Sequence, residues 1–255
     1  MRMATTPSTA LEIRGPAIGL LDDPLNLRVR GAGPDAELLW RARFVDDEDR
    51  AWRTAATCAE DLAAGWAPAK SGGPPIAALR SLLPVSIDVR AEAPDGRAAT
   101  RTVTRQLAAD GVRIRRWLDG MTAVLHLPPR DEPCATLIID ATAGPVEAAT
   151  AWLAAPLLAS RGAVVLALAL ARMRGSTDPL VAARARLATV PAAAEPILIL
   201  PVLDPLSDAA QAGEAVVLPP GIGARDGGAA LVAARALAWD ALLAQLGATP
   251  RTLAA

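Results

Sequence analysis

The sequence predicts an α+β chain of two domains, an antiparallel β-sandwich followed by an α/β sheet. Residues 1–108 contain short segments of strand length separated by turn-forming residues. In residues 109–255, apolar strands alternate with helix-length segments, which is typical of a mostly parallel sheet. A chain of 255 residues has room for two domains, and the change in pattern places their boundary after residue 108.

The first domain is predicted from the spacing of its strands. Six segments have the length and patterning of strands: residues 11–15, 25–31, 36–44, 50–59, 85–93 and 99–107. The segments between them are rich in Asp, Gly and Pro, which favour turns. In "AEAPDGRAA", Asp95-Gly96 predicts a hairpin turn. Short strands with polar turns at this spacing predict an antiparallel sandwich.

The second domain is predicted from alternating strands and helices. Residues 111–129 are expected to form two strands joined at Asp119-Gly120, and further strands are expected at residues 135–140, 163–170, 196–202 and 214–220. The helix-length segments are residues 144–162, 178–190 and 227–248. Pro145 and Pro179 lie in the first turns of two of these helices, where proline is tolerated because the amide would be unpaired.

Composition argues against several classes of protein. The 26 basic and 27 acidic residues nearly cancel, so we expect no nucleic-acid partner. The longest apolar segment, residues 151–171, is interrupted by Pro156 and by Ser160-Arg161-Gly162, which disfavours a membrane span. The N-terminus lacks the apolar core of a signal peptide. We therefore expect a cytoplasmic protein without a membrane span.

The cysteine and histidine content predicts neither a metal nor another cofactor. The chain has two cysteines, Cys58 and Cys134, and one histidine, His126. Two distant cysteines do not form a disulfide framework, and they fit a reducing compartment. A single histidine cannot form a cluster of metal ligands.

Several segments, in their order along the chain, resemble the acyl-CoA thioesterase and bile-acid-CoA:amino-acid N-acyltransferase family. The similar segments are "LLDDPLNLRVRGAGPDAELLWRARFVDDEDRAWRTAATC", "PPIAALRSLLPV", "TRTVTRQLAADGVRIRRWLDGMTAVLHLPP", "PCATLIIDATAGPVEAATAWLAAPLLASRGAVVLALALA" and "GGAALVAARALAWDALLAQLG". The resemblance implies an immunoglobulin-like β-sandwich followed by an α/β-hydrolase-type domain, here shortened. It also implies an acyl-CoA or another acyl thioester as ligand.

Family members use a Ser or Cys nucleophile, an Asp and a His. This chain contains no Gly-x-Ser-x-Gly or Gly-x-Cys-x-Gly turn, and the segment that should carry the His has none. Asp204 matches the position of the acid. Ser176, in "MRGSTDP", lies between a strand and a helix as a nucleophile would. These are the candidate catalytic residues of a degenerate triad. Alternatively, Asp204 and Ser176 cap local turns and His126 packs within a strand.

Candidate binding residues lie after the strands of the second domain, where α/β sheets bind ligands. They are Asp140, Thr142, Gly144, Arg174 and Asp208. Gly144 matches a glycine of the loop that supplies oxyanion donors in the family, and Asp208 is the second choice for the acid. Pro145 removes one amide from that loop.

Three functions follow from these observations. The chain acts on an acyl thioester, or it is a non-catalytic scaffold, subunit or small-molecule-binding descendant, or it is a repurposed enzyme with a new pocket. In the shortened sheet, strands 163–170 and 196–202 must become neighbours or each find another strand. An exposed apolar edge would favour a homo-oligomer or a hetero-complex.

Overall fold

The computed structural model describes residues 10–33, 36–63, 66–69, 79, 81–117, 122–130, 132, 134–168, 178–202, 212–216 and 229–247. Within these residues the chain is mixed α+β, with most of its regular structure in β-sheets. The strands are β1 Glu12–Arg14, β2 Ile18–Leu20, β3 Arg28–Arg30, β4 Leu39–Val45, β5 Ala51–Ala56, β6 Ala67–Pro68, β7 Val85–Glu92, β8 Ala98–Gln106, β9 Arg113–Trp117, β10 Ala123–Leu127, β11 Cys134–Asp140, β12 Val164–Leu168 and β13 Ala193–Pro201. The helices are α1 Pro145–Ser160, α2 Pro179–Leu187 and α3 Ala229–Gln245, with a 3-10 helix at Glu60–Ala63.

The first half of the chain forms a six-stranded sheet in the order β2-β8-β7-β4-β5-β6, accompanied by the two-stranded sheet β1-β3. All its pairings are antiparallel except that of β2 with β8. Strand β2 was not predicted, since its three residues are too short for a periodic signal. The predicted hairpin at Asp95-Gly96 is confirmed: Gly96 adopts a φ of +83°, and the amide of Ala93 donates to the carbonyl of Arg97 at 2.9 Å.

Alternation along β4 gives this sheet one buried and one exposed face. Trp40, Ala42 and Phe44 are buried, while the residues between them are exposed. The Phe44 ring stacks on Trp52 with centroids 6.1 Å apart and meets Trp66 edge-on at 4.9 Å. The aromatic side chains therefore occupy one face and leave the other to polar residues.

The second half forms a five-stranded sheet in the order β13-β11-β12-β10-β9. Strand β11 pairs in parallel with both β12 and β13, whereas β10 is antiparallel to β9 and β12. The expectation of a mostly parallel sheet is therefore wrong, because half of the pairings are antiparallel. Strands β9 and β10 are joined by too short a connection for a parallel crossover.

The two strands whose pairing was left open, β12 and β13, do not become neighbours. Strand β11 lies between them and bonds to both. On its outer side, β13 has a single parallel bridge, between Val202 and Val216, within the part of the chain that the structure describes. Leu198 on β13 is 39% exposed. Within the described residues, β13 is thus an edge strand that carries a partly exposed leucine.

Helices cover both faces of the five-stranded sheet. Leu137, Ile139 and Val165 join the larger core, which also contains apolar residues of α1 and α3. Ile138 and Leu166, which point to the opposite face, join a second core with residues of α2. Burial on both faces explains why every residue of β12 is buried and apolar.

A buried ion pair joins the two halves of the chain. Arg161, which follows α1, donates to Asp22 Oδ2 from Nε at 3.0 Å and from Nη2 at 2.7 Å, and Nη2 also donates to Asp23 at 3.1 Å. Trp239 of α3 donates to the same Asp22 oxygen at 2.9 Å. Burial raises the pKa of Asp22, while its pairing with Arg161 opposes that shift. Asp22, Arg161 and Trp239 therefore fix the two sheets against each other.

Candidate functional site

The carboxyl ends of β11, β12 and β13 meet at one edge of the five-stranded sheet. Asp140 at the end of β11 is in register with Leu168 of β12 and with Pro201 of β13. The chain leaves β11 for α1 and β12, and then crosses back past β11 to reach β13. A reversal of strand order of this kind creates the crevice where α/β sheets bind ligands. We call this edge the strand rim.

The structure brings three of the predicted binding residues together at the strand rim. Asp140 Oδ1 accepts hydrogen bonds from the Thr142 amide at 3.1 Å and from the Thr142 hydroxyl at 2.7 Å. Gly144 is the N-cap of α1. Glu147, in the first turn, folds back so that its Oε2 lies 2.7 Å from where a Cβ on residue 144 would be. Two carboxylates therefore border this loop.

This arrangement opposes the role predicted for the loop. An oxyanion site needs amides that point at a developing negative charge. Here the Thr142 amide is bonded to Asp140, and the carboxylate of Glu147 lies against the N-terminus of α1. That carboxylate occupies the end of the helix where an anion would be stabilised. The local charge therefore disfavours a second anion.

The other predicted site residues lie outside the described part of the chain. They are Ser176 and Arg174, which follow β12, and Asp204 and Asp208, which follow β13. Their predicted roles, including those of Ser176 and Asp204 in a degenerate triad, stay predictions.

His126, the chain's single histidine, lies away from the strand rim. It is fully buried on β10 in register with Val165, and its ring meets Trp152 of α1 edge-on at 6.3 Å. Asp140 lies two strands away from His126 and three residues further along the strand direction. With neighbouring strands ~4.8 Å apart and a rise of ~3.3 Å per residue, the two residues are separated by roughly 14 Å. Neither ring nitrogen has a hydrogen-bond partner in the described structure.

Burial lowers the pKa of His126 to about 4. The backbone of Val124 and Val165 nearby raises this pKa and so partly opposes the effect of burial, although neither residue forms a hydrogen bond with the ring. A base must reach the proton that it removes. His126 is therefore a packing residue, as the alternative interpretation of the sequence had it.

Other nucleophile candidates in the described residues are already engaged. Ser160, the last residue of α1, donates its hydroxyl to the Pro156 carbonyl at 2.7 Å and accepts from the Ala109 amide at 2.8 Å. Cys134 is half-buried, and burial raises the pKa of its thiol, which lowers the fraction of reactive thiolate. No group of three potential metal ligands occurs in the part of the chain that was described.

Sequence reasoning missed a second concave surface, on the exposed face of the six-stranded sheet. It is a groove of about 910 Å³ lined by residues of β4, β5, β7 and β8. We call it the arginine groove, because four exposed arginines line it: Arg41, Arg43, Arg53 and Arg90. The signal was present in "WRARFV", where two arginines two residues apart must share one face of a strand.

Two comparisons with known proteins assign no family to this chain. No family model matches it, and no curated protein matches it significantly. Among the described helices, none combines the length and the hydropathy that a membrane span requires.

Proposed function

We propose that this chain is a non-catalytic, ligand-binding descendant of the acyl-CoA thioesterase and acyltransferase family. Under this proposal, its first half corresponds to the immunoglobulin-like sandwich and its second half to a shortened α/β-hydrolase-type sheet. The ordered resemblance of five segments supports the lineage. The mixed sheet, with helices on both faces and β11 between β12 and β13, is compatible with it.

The burial of His126 carries the proposal that the chain is non-catalytic. Acyl transfer by a triad requires an imidazole that accepts the proton of the nucleophile. The single imidazole is fully buried, roughly 14 Å from Asp140 at the strand rim on the spacings of the strands. The His126 ring points toward α1, on one face of the sheet. Asp140 lies two residues after Ile138 on β11 and therefore on the opposite face of the sheet. No rotation of the His126 side chain could bring it to the strand rim.

The charge at the strand rim supports the same conclusion. Asp140 and Glu147 place two carboxylates beside the loop where a thioester oxygen would have to become negative. In a triad enzyme, loss of the nucleophile and base unit lowers turnover by roughly 10⁶-fold, and the remaining rate depends on oxyanion donors and binding. Here the Thr142 amide, one donor of that loop, is bonded to Asp140. Binding without turnover is therefore the function that this geometry supports best.

The ligand is proposed from the resemblance and is tested by measuring binding and turnover on the same samples. Titration calorimetry with short-, medium- and long-chain acyl-CoAs would be combined with an assay of free thiol. We expect saturable binding and no thiol release above a heat-denatured control. Absence of binding at every chain length would contradict the acyl-thioester ligand. Thiol release that Ser176→Ala or Asp204→Ala abolishes would contradict the non-catalytic proposal.

A further inference from the structure

The arginine groove contains two pairs of like charges placed directly opposite each other. Arg43 on β4 is in register with Arg53 on β5, and Arg41 on β4 is in register with Arg90 on β7. Directly opposed side chains of like charge destabilise a sheet. Two such pairs lie side by side on one exposed face, and their repulsion lowers the stability of the fold when no ligand is bound.

Protein carboxylates neutralise only part of this charge. Glu92 accepts from Arg41 at 3.3 Å and lies 3.4 Å from Arg90, so one carboxylate serves two guanidinium groups. Asp88, in register with Arg43, instead accepts the Thr102 hydroxyl at 2.8 Å. Within the ranges that the structure covers, no carboxylate lies within 4.0 Å of the guanidinium of Arg43 or Arg53.

The groove also has space above these charges. Ala55 is in register with Arg41 and follows Arg53 on the same face of β5, so a methyl group stands where a longer side chain would fill the surface. The groove volume of about 910 Å³ is within the range of small-molecule sites. Its lining contains no aromatic side chain on which the bases of single-stranded nucleic acid would stack.

We propose that the arginine groove binds a small organic anion that carries at least two phosphate groups. Guanidinium groups form paired hydrogen bonds with phosphate oxygens, and Arg is preferred wherever this fork geometry is needed. The opposed arginines start about 5 Å apart across the strands, and the two pairs lie about 7 Å apart along them, which suits neighbouring phosphates. Arg43 and Arg53 make the principal contacts. This proposal rests on the charges of the groove and not on the acyl-thioester ligand proposed above. Because an acyl-CoA also carries linked phosphates, its binding is measured in the groove variant too, which separates binding of its phosphates in the groove from binding of its acyl group elsewhere.

The test compares two double variants that remove the same charge. Arg43→Gln with Arg53→Gln alters the groove, and Arg28→Gln with Arg30→Gln removes two exposed arginines of β3 outside it. Calorimetry at low ionic strength would use inorganic pyrophosphate and ADP as probes. We expect both probes to bind the wild type, the groove variant to lose about tenfold or more in affinity, and the β3 variant to stay within about twofold.

Thermal unfolding separates loss of binding from loss of folding. Without ligand, the groove variant should unfold at nearly the same temperature as the wild type, because the repulsion between Arg43 and Arg53 and the attraction between Arg43 and Asp88 are lost together. Pyrophosphate should then raise the midpoint of the wild type and of the β3 variant, and leave that of the groove variant unchanged.

Three results would overturn the proposal. One is the absence of saturable binding of pyrophosphate and ADP to the wild type. Another is an equal loss of affinity in both double variants, which would indicate general charge attraction. The third is binding of a single-stranded oligonucleotide more tightly than ADP with the same dependence on Arg43 and Arg53, which would indicate an extended nucleic-acid surface.

Discussion

Lowering the pH from 7 to 5 should destabilise the protein through His126. The imidazole is buried with a pKa of about 4, against 6.5 for an exposed histidine. Between these values the unfolded chain binds a proton that the folded chain does not. Unfolding is therefore favoured as the pH falls, and this stability is present above pH 6.5 and lost toward pH 4. The loss through this residue is about 2 kcal/mol at pH 5 and about 3 kcal/mol below pH 4.

His126→Leu provides the matched control. Leucine is apolar and of similar size, and it leaves no unpaired nitrogen beside Trp152, so the variant should be at least as stable as the wild type at pH 7. Urea unfolding of both proteins at pH 7, 6 and 5 gives the difference between their free energies of unfolding. Effects of other titrating groups, including Asp22, cancel in that difference. We expect it to grow by about 2 kcal/mol from pH 7 to pH 5.

A constant difference across this pH range would refute the reasoning. It would mean that His126 is protonated as easily in the folded chain as in the unfolded one, and so is accessible to water. The main argument against triad chemistry would then fail, because an accessible imidazole could act as a base.

Four further substitutions test contacts within the fold, each by urea unfolding at pH 7. Asp22→Asn should lower the free energy of unfolding by about 3 kcal/mol, because Arg161 loses a buried counter-ion. A decrease of less than about 1 kcal/mol would mean that the ion pair is open to water. Trp239→Phe removes one hydrogen bond to the same carboxylate and should lower the free energy of unfolding by about 1–3 kcal/mol. A free energy of unfolding equal to that of the wild type would mean that this hydrogen bond is not formed. Ser160→Ala should cost about 1–2 kcal/mol, since a backbone amide loses its acceptor, and no change would indicate that water replaces it. Arg53→Gln should stabilise by about 0.2–1 kcal/mol, because Arg53 faces Arg43 on one side and Ala67 on the other, and a destabilised variant would contradict the opposed-charge argument.

Much of the local structure was predictable because its signals lie within a few neighbouring residues. The pattern around Pro145 and Gly162 predicted α1, which spans Pro145–Ser160. The Asp178-Pro179 pair predicted α2, and the Asp178 side chain accepts from the Leu180 amide at 2.9 Å. The missing nucleophile turn could also be read directly, because that motif is itself local.

The candidate sites were predicted only in part. The sequence placed Asp140, Thr142 and Gly144 after one strand, and the structure finds them at the strand rim. It could not show that Asp140 and Glu147 would make the loop unfavourable for an anion, since that depends on side-chain orientation. The shared face of Arg41 and Arg43 could be read from β4 alone, but the sequence could not show that Arg53 and Arg90, from two other strands, would join them in one groove.

The sequence by itself determined where the three helices and most of the strands lie, that the chain has one histidine, and that the nucleophile turn is absent. Only the tertiary structure decided that β11 lies between β12 and β13, that His126 is buried, and that Arg43 stands opposite Arg53. The reason is physical. Turn chemistry and periodicity act over a few bonds of the chain, whereas strand order, register and burial arise from contacts between segments far apart in sequence.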